Sequence, residues 1–341
     1  VTVHSLVNSP RNFAARLLGW YDINARVLPW RIAPGSDAIP DPYCIWLAEV
    51  MLQQTTVAAV ASYWQRFTVR WPTVADLAAA NDAAVMAEWA GLGYYARARN
   101  LIACARTVAV KHDGRFPDQE AVLRTLPGIG DYTAAAVAAI AFGRPAVVVD
   151  ANIERVMARH AAITDPLPGA KSAIRAALAP LLSSDRPGDF AQALMDLGAG
   201  VCTVRRPQCA RCPVSDDCAA RAAGNAELLP VKPPRKIKPT RHGVACWIEQ
   251  DGQLWLERRP ASGLLGGMLA LPGDDWLAAE LPPNAAATVR HSFTHFDLKL
   301  AIVRRAPSTN CINGQWWPLN ELDAVGLPTL YRKAVAAMGE I

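Results

Sequence analysis

Cys202, Cys209, Cys212 and Cys218 crowd into one short loop with the spacing Cys202-x6-Cys209-x2-Cys212-x5-Cys218, and no other stretch restricts the fold as strongly. A disulfide framework does not suit a long chain whose opening VTVHSLVNSPRNF lacks a signal-peptide core. Metal ligation is the better reading. Thiolates so close together satisfy either a tetrahedral zinc or a cubane iron–sulfur cluster, and ligand chemistry alone does not choose between them. Arg205, Arg206 and Arg211 lie inside the loop, where they bind phosphate or offset thiolate charge. Cys44, Cys104, Cys246 and Cys311 are scattered.

The chain of 341 residues is long enough for two or three domains with a sizeable core. Apolar residues make up 52%, yet no uninterrupted run reaches a bilayer span, so the expectation is a soluble cytoplasmic protein. The formal net charge of +5 permits a polyanionic partner. The excess is local: Val231 to Arg241 carries Lys232, Arg235, Lys236, Lys238 and Arg241 and no acidic residue.

Helical periodicity dominates up to about residue 224, with few convincing strands. The segment YCIWLAEVMLQQ, Tyr43 to Gln54, holds a single charge, and Glu49 has Ile45 and Trp46 one turn before it and Leu52 one turn after. A carboxyl on that face is desolvated, its pKa rises, and it suits a general acid; at the edge of the face it would instead reach water or a basic side chain. In GLGYYARARN, glycines bound a turn that presents Tyr94 and Tyr95 before Arg97 and Arg99, which suits base stacking beside phosphates or plugs a gap in a helical core. The stretch LPGIGDYTAAAVAAIAFGRPAVVVDAN, Leu126 to Asn152, pairs a Gly128/Gly130 turn with a carboxylate one helix length later. Those glycines let backbone N–H groups approach a DNA phosphate, or simply connect two packed helices. Asp150 opens a helix, where aspartate is also an ordinary cap.

Ala222 to Arg241 loses periodicity and gains Pro230, Pro233, Pro234 and Pro239, as linkers do. Beyond it, His242 to Ile248, Leu254 to Arg258 and Phe296 to Arg304 alternate, Asp251-Gly252 marks a hairpin, and Leu330 to Met338 reads as a closing helix. The expected division is a helical region over 1–224, a basic proline-rich linker over 225–241 and a small α+β domain over 242–341.

Together, the glycine hairpin with its lone aspartate, the buried helical glutamate and the 6-2-5 cysteine loop resemble the helix-hairpin-helix DNA glycosylases of the endonuclease III and MutY group, over essentially the whole chain. WLAEVMLQQT, GLGYYARARN and ALMDLGAGVC resemble MutY, which acts on adenine mispaired with 8-oxoguanine. The resemblance implies a mainly α helix-hairpin-helix region (near 121–142), a [4Fe–4S] cluster on the cysteine loop 202–218 and a C-terminal nudix-like domain. It makes Asp150 the catalytic aspartate, Glu49 the acid that protonates adenine, and Asn152 the support of Asp150. Tyr132 falls where endonuclease III carries its lyase lysine, implying a monofunctional enzyme. Gln54 and Tyr94 match wedging residues, and Arg26, Trp30 and Arg31 match the adenine pocket. Phe293-Thr294-His295 matches the loop that recognises 8-oxoguanine, with Phe293 offering a stacking or wedging surface. The implied partner is duplex DNA with an adenine:8-oxoguanine or adenine:guanine mispair, met by a monomer.

The sequence departs from the family's pattern at Ala151 for glycine, Asp196 for a glutamate that touches adenine, and Thr294 for serine. Asp196, a methylene shorter, puts the direct contact in doubt. The nudix-like stretch Gly263 to Gly273 lacks the acidic helix that nucleotide hydrolysis needs. The competing readings are a glycosylase of the same fold with another base preference, and a non-catalytic iron–sulfur DNA-binding protein or redox sensor.

Overall fold

The computed structural model describes residues 10–234, 237–260, 263–278, 280–307 and 314–339. The residues before position 10, and Arg235, Lys236 and Cys311 singled out above, lie outside them. The chain divides into two compact units, Val1–Ala78 with Ala103–Pro234, and Ala79–Ile102 with Arg235–Ile341.

The first unit is helical because its local signals agree with its periodicity. Asp41 accepts a hydrogen bond from the Tyr43 N–H and Pro42 occupies the first turn, so the helix Pro42–Leu52 begins where the apolar run begins. It packs on the hairpin helix Asp131–Phe142, which packs in turn on Pro187–Gly200. The helix Pro187–Gly200 also carries Pro10–Asn24 and Ala151–His160 on its sides. Phe13, Leu17, Trp46, Met51, Phe67, Phe190 and Leu197 fill the interior. Phe13 sits 4.9 Å from His160 and 6.2 Å from Phe190 between ring centroids, joining the first helix to two later ones.

The hairpin is shorter than its sequence suggests. Glu120–Leu123 is a single turn, after which Gly128 takes φ +74° and Gly130 leads into Asp131–Phe142. Only a residue without a Cβ adopts the Gly128 conformation at low cost. Val147-Val148-Val149 forms no regular element; Val148 is buried while its two neighbours are half-buried. The helix Lys171–Leu178 gives way to the 3-10 turn Ala179–Leu181, because Pro180 has no N–H to continue the ladder. The expected linker is partly structured. Ala226–Leu228 forms a 3-10 turn, Leu229 is buried, and the Val231 carbonyl accepts from Leu167 N at 2.9 Å. Among the described residues, no helix is long and apolar enough to cross a membrane.

The sheet part of the second unit contains β1 (Thr240–Trp247), β2 (Glu249–Gln250), β3 (Gln253–Arg258), β4 (Leu269–Ala270), β5 (Ala287–Ser292), β6 (Asp297–Arg304) and β7 (Gly314–Pro318). One sheet has the order β1-β6-β5, with β1 parallel to β6 (Val244 opposite Ala301) and β5 antiparallel to it. In the other, β3 pairs antiparallel with β2, β4 and β7. Asp251 and Gly252, at φ +51° and +73°, close the β2–β3 hairpin in the left-handed turn that matches strand twist. The helix Thr329–Gly339 packs on β5 and buries Leu330, Tyr331, Ala334 and Met338.

In the helical unit the tightest approach relevant to the cleft below is at Gly198. A Cβ there would meet Asn152 Cβ at 2.6 Å and Asn152 backbone atoms at 3.0 Å. Gly198→Ala should therefore cost about 1–3 kcal/mol, the usual penalty of overpacking, seen as a melting temperature several degrees lower; an unchanged melt would show that the two helices separate freely.

Candidate active site

Glu49 sits on the helix Pro42–Leu52 and is only 4% exposed. Loss of hydration pushes its carboxyl up to about 7, aided by the negative charge of Asp150 and opposed by Tyr132 and Arg31. The Tyr132 hydroxyl, in the first turn of Asp131–Phe142, donates to Glu49 Oε2 at 2.6 Å. Burial holds that phenol well above its ordinary range, so Tyr132 is a donor and not an acid at neutral pH.

Asp150 is the N-cap of the helix Ala151–His160. Its Oδ1 accepts from the main-chain N–H groups of Asn152 (2.9 Å) and Ile153 (2.7 Å), and its Oδ2 from Asn152 Nδ2 at 2.8 Å. Burial raises the Asp150 pKa, while these donors and Arg155 favour its anion. Arg155 donates to Asn152 Oδ1 at 3.0 Å, to the Gly198 carbonyl at 2.5 Å and to the Cys202 carbonyl at 2.7 Å. One guanidinium thus joins the Asp150 cap to the start of the cysteine loop.

Both carboxylates line a single cleft of about 800 Å³. Arg26, Trp30, Arg31, Gln54, Gly128, Gly130, Tyr132 and Asn152 share its wall. Gln54 is exposed at φ +57° and Trp30 is buried edge-on to Trp64 at 6.1 Å. Asp196 does not belong to this wall. It is 2% exposed behind Arg26 and Arg31 and accepts hydrogen bonds from both guanidiniums.

The cysteines at 202, 209, 212 and 218 line one small cavity, walled otherwise mainly by apolar side chains such as Val156, Leu197, Val201 and Val214. Burial pushes the Cys212 thiol up to about 12, and the charges of Cys202, Cys218 and Cys209 push in the same direction. Four thiolates there need a cationic centre. The sulfurs share this one site, as the ligands of a cluster must. A buried cation at the loop is Arg159, 2% exposed, which donates to Cys202 Sγ at 3.2 Å and to the Thr203, Val204 and Leu229 carbonyls. Arg155 and Arg159 escaped the sequence reading; their spacing of one turn on an otherwise apolar helix face before a cysteine loop was the available signal.

In the second unit Tyr94, at φ +48° and 46% exposed, shares a hydrogen bond of 3.1 Å with the Thr294 hydroxyl. Thr294 and His295 are exposed. Phe293 is not a free wedge: its ring stacks on Trp276 at 5.5 Å, touches His291 and Phe296, and packs against the core. Lys238 Nζ donates to the Phe293 carbonyl at 2.7 Å, so the loop is held from both sides of its backbone.

Residues 47–180 match the HhH-GPD superfamily base excision DNA repair proteins, residues 202–218 the iron-sulfur binding domain of endonuclease III, and residues 243–337 the NUDIX domain. Among solved structures, a thermostable thymine-DNA glycosylase superposes with a TM-score of 0.55 at 29% identity, covering 63% of this chain and 97% of that one. A non-covalent endonuclease III–DNA complex has the same fold, with a TM-score of 0.53 at 23% identity over 66% of this chain and 98% of the other. The class is therefore a helix-hairpin-helix DNA glycosylase with an iron–sulfur loop and a nudix-like C-terminal domain. Human adenine DNA glycosylase is 36% identical over 397 residues, covering 94% of this chain and 73% of that protein. The enzyme of that name from Mycobacterium tuberculosis (strain ATCC 25618 / H37Rv) is 42% identical over 221 residues, covering 64% and 71%. The chain belongs to the adenine DNA glycosylase family.

The raised pKa of Glu49 has a cost that can be measured. Below the unfolded-state pKa of about 4.3 the group is neutral in both states and costs nothing. As pH rises towards 7 the unfolded chain loses this proton while the folded chain keeps it, so folding becomes progressively less favourable. Glu49→Gln should therefore melt like the wild type at pH 4 and at a higher temperature at pH 8. Equal melting temperatures at both pH values would mean that Glu49 is hydrated.

Proposed function

We propose that this protein removes adenine from duplex DNA by hydrolysis of its N-glycosidic bond, and that it acts where adenine faces 8-oxoguanine or guanine. The observation that carries the reading is that a proton-bearing Glu49 and a hydrogen-bonded Asp150 share one cleft. Adenine is a poor leaving group until protonated, and the sugar it leaves acquires oxocarbenium character. Glu49 supplies the proton on the base side and Asp150 the anion on the sugar side, as paired carboxylates do in sugar hydrolysis. Trp30, Arg26 and Arg31 offer a wall for a base taken out of the stack, and Gln54 and Tyr94 each match a residue that wedges into the duplex. Gly128 and Gly130 present backbone N–H groups to phosphate. Cys202, Cys209, Cys212 and Cys218 would hold a [4Fe–4S] cluster, whose contribution is to clip the loop that Arg155 and Arg159 brace. Tyr132 has no amine and itself forms no Schiff base with the sugar, in keeping with a monofunctional enzyme.

The test is single-turnover excision on duplexes with adenine opposite 8-oxoguanine, guanine or thymine, and with thymine opposite guanine. Wild-type protein should release adenine, with a rate that falls as pH rises through about 7, where Glu49 gives up its proton. Asp150→Asn and Glu49→Gln should each lose on the order of 100-fold or more while still binding DNA. Release of thymine in preference to adenine would assign a different base.

We propose that the Phe293-Thr294-His295 loop reads the opposite base. Thr294 and His295 are its exposed polar side chains, and Phe293 anchors it on Trp276. Thr294→Ala combined with His295→Ala should narrow the rate ratio between 8-oxoguanine and guanine opposite adenine while retaining excision. An unaltered ratio would move recognition of the partner base elsewhere.

A further inference from the structure

Arg26 and Arg31 face the cleft, yet neither is free to orient itself. Asp196 Oδ1 accepts from Arg26 Nε at 2.6 Å, and Asp196 Oδ2 accepts from the Arg26 main-chain N–H at 3.0 Å and from the Arg31 guanidinium at 2.7 Å. The carboxylate comes from the buried side of Pro187–Gly200. It spans two positions of the irregular segment that follows the first helix. Arg31 is almost enclosed, with its side chain 6% exposed, whereas Arg26 is 36% exposed. Two cations lie within hydrogen-bond distance of a single buried anion, so the group is over-determined by geometry and carries one positive charge in excess.

We propose that Asp196 is a positioning residue that pins Arg26 and Arg31 as the wall of the base pocket and tempers their positive charge, without touching the base itself. This rests on the adenine-excision reading above. The groups that act on Glu49 come from three segments: Tyr132 from the hairpin helix, Asp150 from the cap of Ala151–His160, and Arg31 from the segment held by Asp196. Tyr132 and Arg31 favour the ionised form, whereas Asp150 opposes it. Asp196 restrains Arg31 by occupying its guanidinium. Removing the Asp196 charge leaves the wall one unit more positive and lets Arg31 turn towards Glu49, so that Glu49 releases its proton more readily.

The experiment reads the Glu49 titration directly in the DNA-free protein, by carboxyl ¹³C NMR, with the Glu49 signal assigned as the one lost in Glu49→Gln. Asp196→Asn keeps the shape and should lower the titration midpoint by half a pH unit or more, about a threefold loss in proton affinity. Asp196→Glu should leave the midpoint nearer the wild type. Arg26→Gln removes one cation while Asp196 stays on Arg31, and should move the midpoint upward. In the excision assay, Asp196→Asn should lose several-fold more rate at pH 8 than at pH 6. A uniform loss across pH with an unmoved midpoint would reduce Asp196 to a packing role and overturn the proposal. If Asp196→Asn does not fold, an unmoved midpoint in Arg26→Gln overturns it equally. A wild-type protein that releases no adenine would refute the functional reading, while the titration would still decide the role of Asp196.

Discussion

A carboxyl group kept away from water is the constraint on which the rest of the first unit depends. Glu49 can be buried only because the helix that bears it is apolar around it and because the Tyr132 hydroxyl from a distant helix satisfies one of its oxygens. That arrangement demands close packing of Pro42–Leu52 on Asp131–Phe142. The alanine run of the hairpin helix, buried from Thr133 to Ala141, makes such closeness possible. Small side chains there are a condition of the site.

The second carboxylate is placed by different means. Asp150 is held by backbone N–H groups at a helix start, and that start is held by Arg155, which also grips Gly198 and Cys202. Arg159, one turn later, does the same for Cys202 to Val204 and Leu229. Buried arginines of this kind are costly unless most of their donors are used. Here they join a cysteine loop, a helix cap and the end of the helical unit into one framework.

The helical pattern, the late change to alternating strands and the cysteine spacing were legible because each is local and periodic. The burial of Glu49 was legible for the same reason, from Ile45, Trp46 and Leu52 around it. What could not be read were pairings across long separations: Tyr132 with Glu49, Asp196 with Arg26 and Arg31, and Phe293 with Trp276. Such contacts leave no periodic trace. Asp196 shows the difference well, since comparison with a glutamate suggested a shorter arm towards the base, whereas the structure turns that arm inward. Prolines mark irregular chain without saying whether it is anchored, and at the start of the linker Leu229 and Val231 are.

The burial that raises Glu49 also fixes how the enzyme is stocked between encounters. With a pKa of about 7, the free cleft at pH 8 holds its proton in only about one molecule in ten. Once a duplex covers the cleft, a group exposed by 4% has little water from which to reload. Under the proposed chemistry the molecule therefore arrives either armed or empty. A search along DNA near neutral pH is then carried out by two populations that differ by one proton on Glu49.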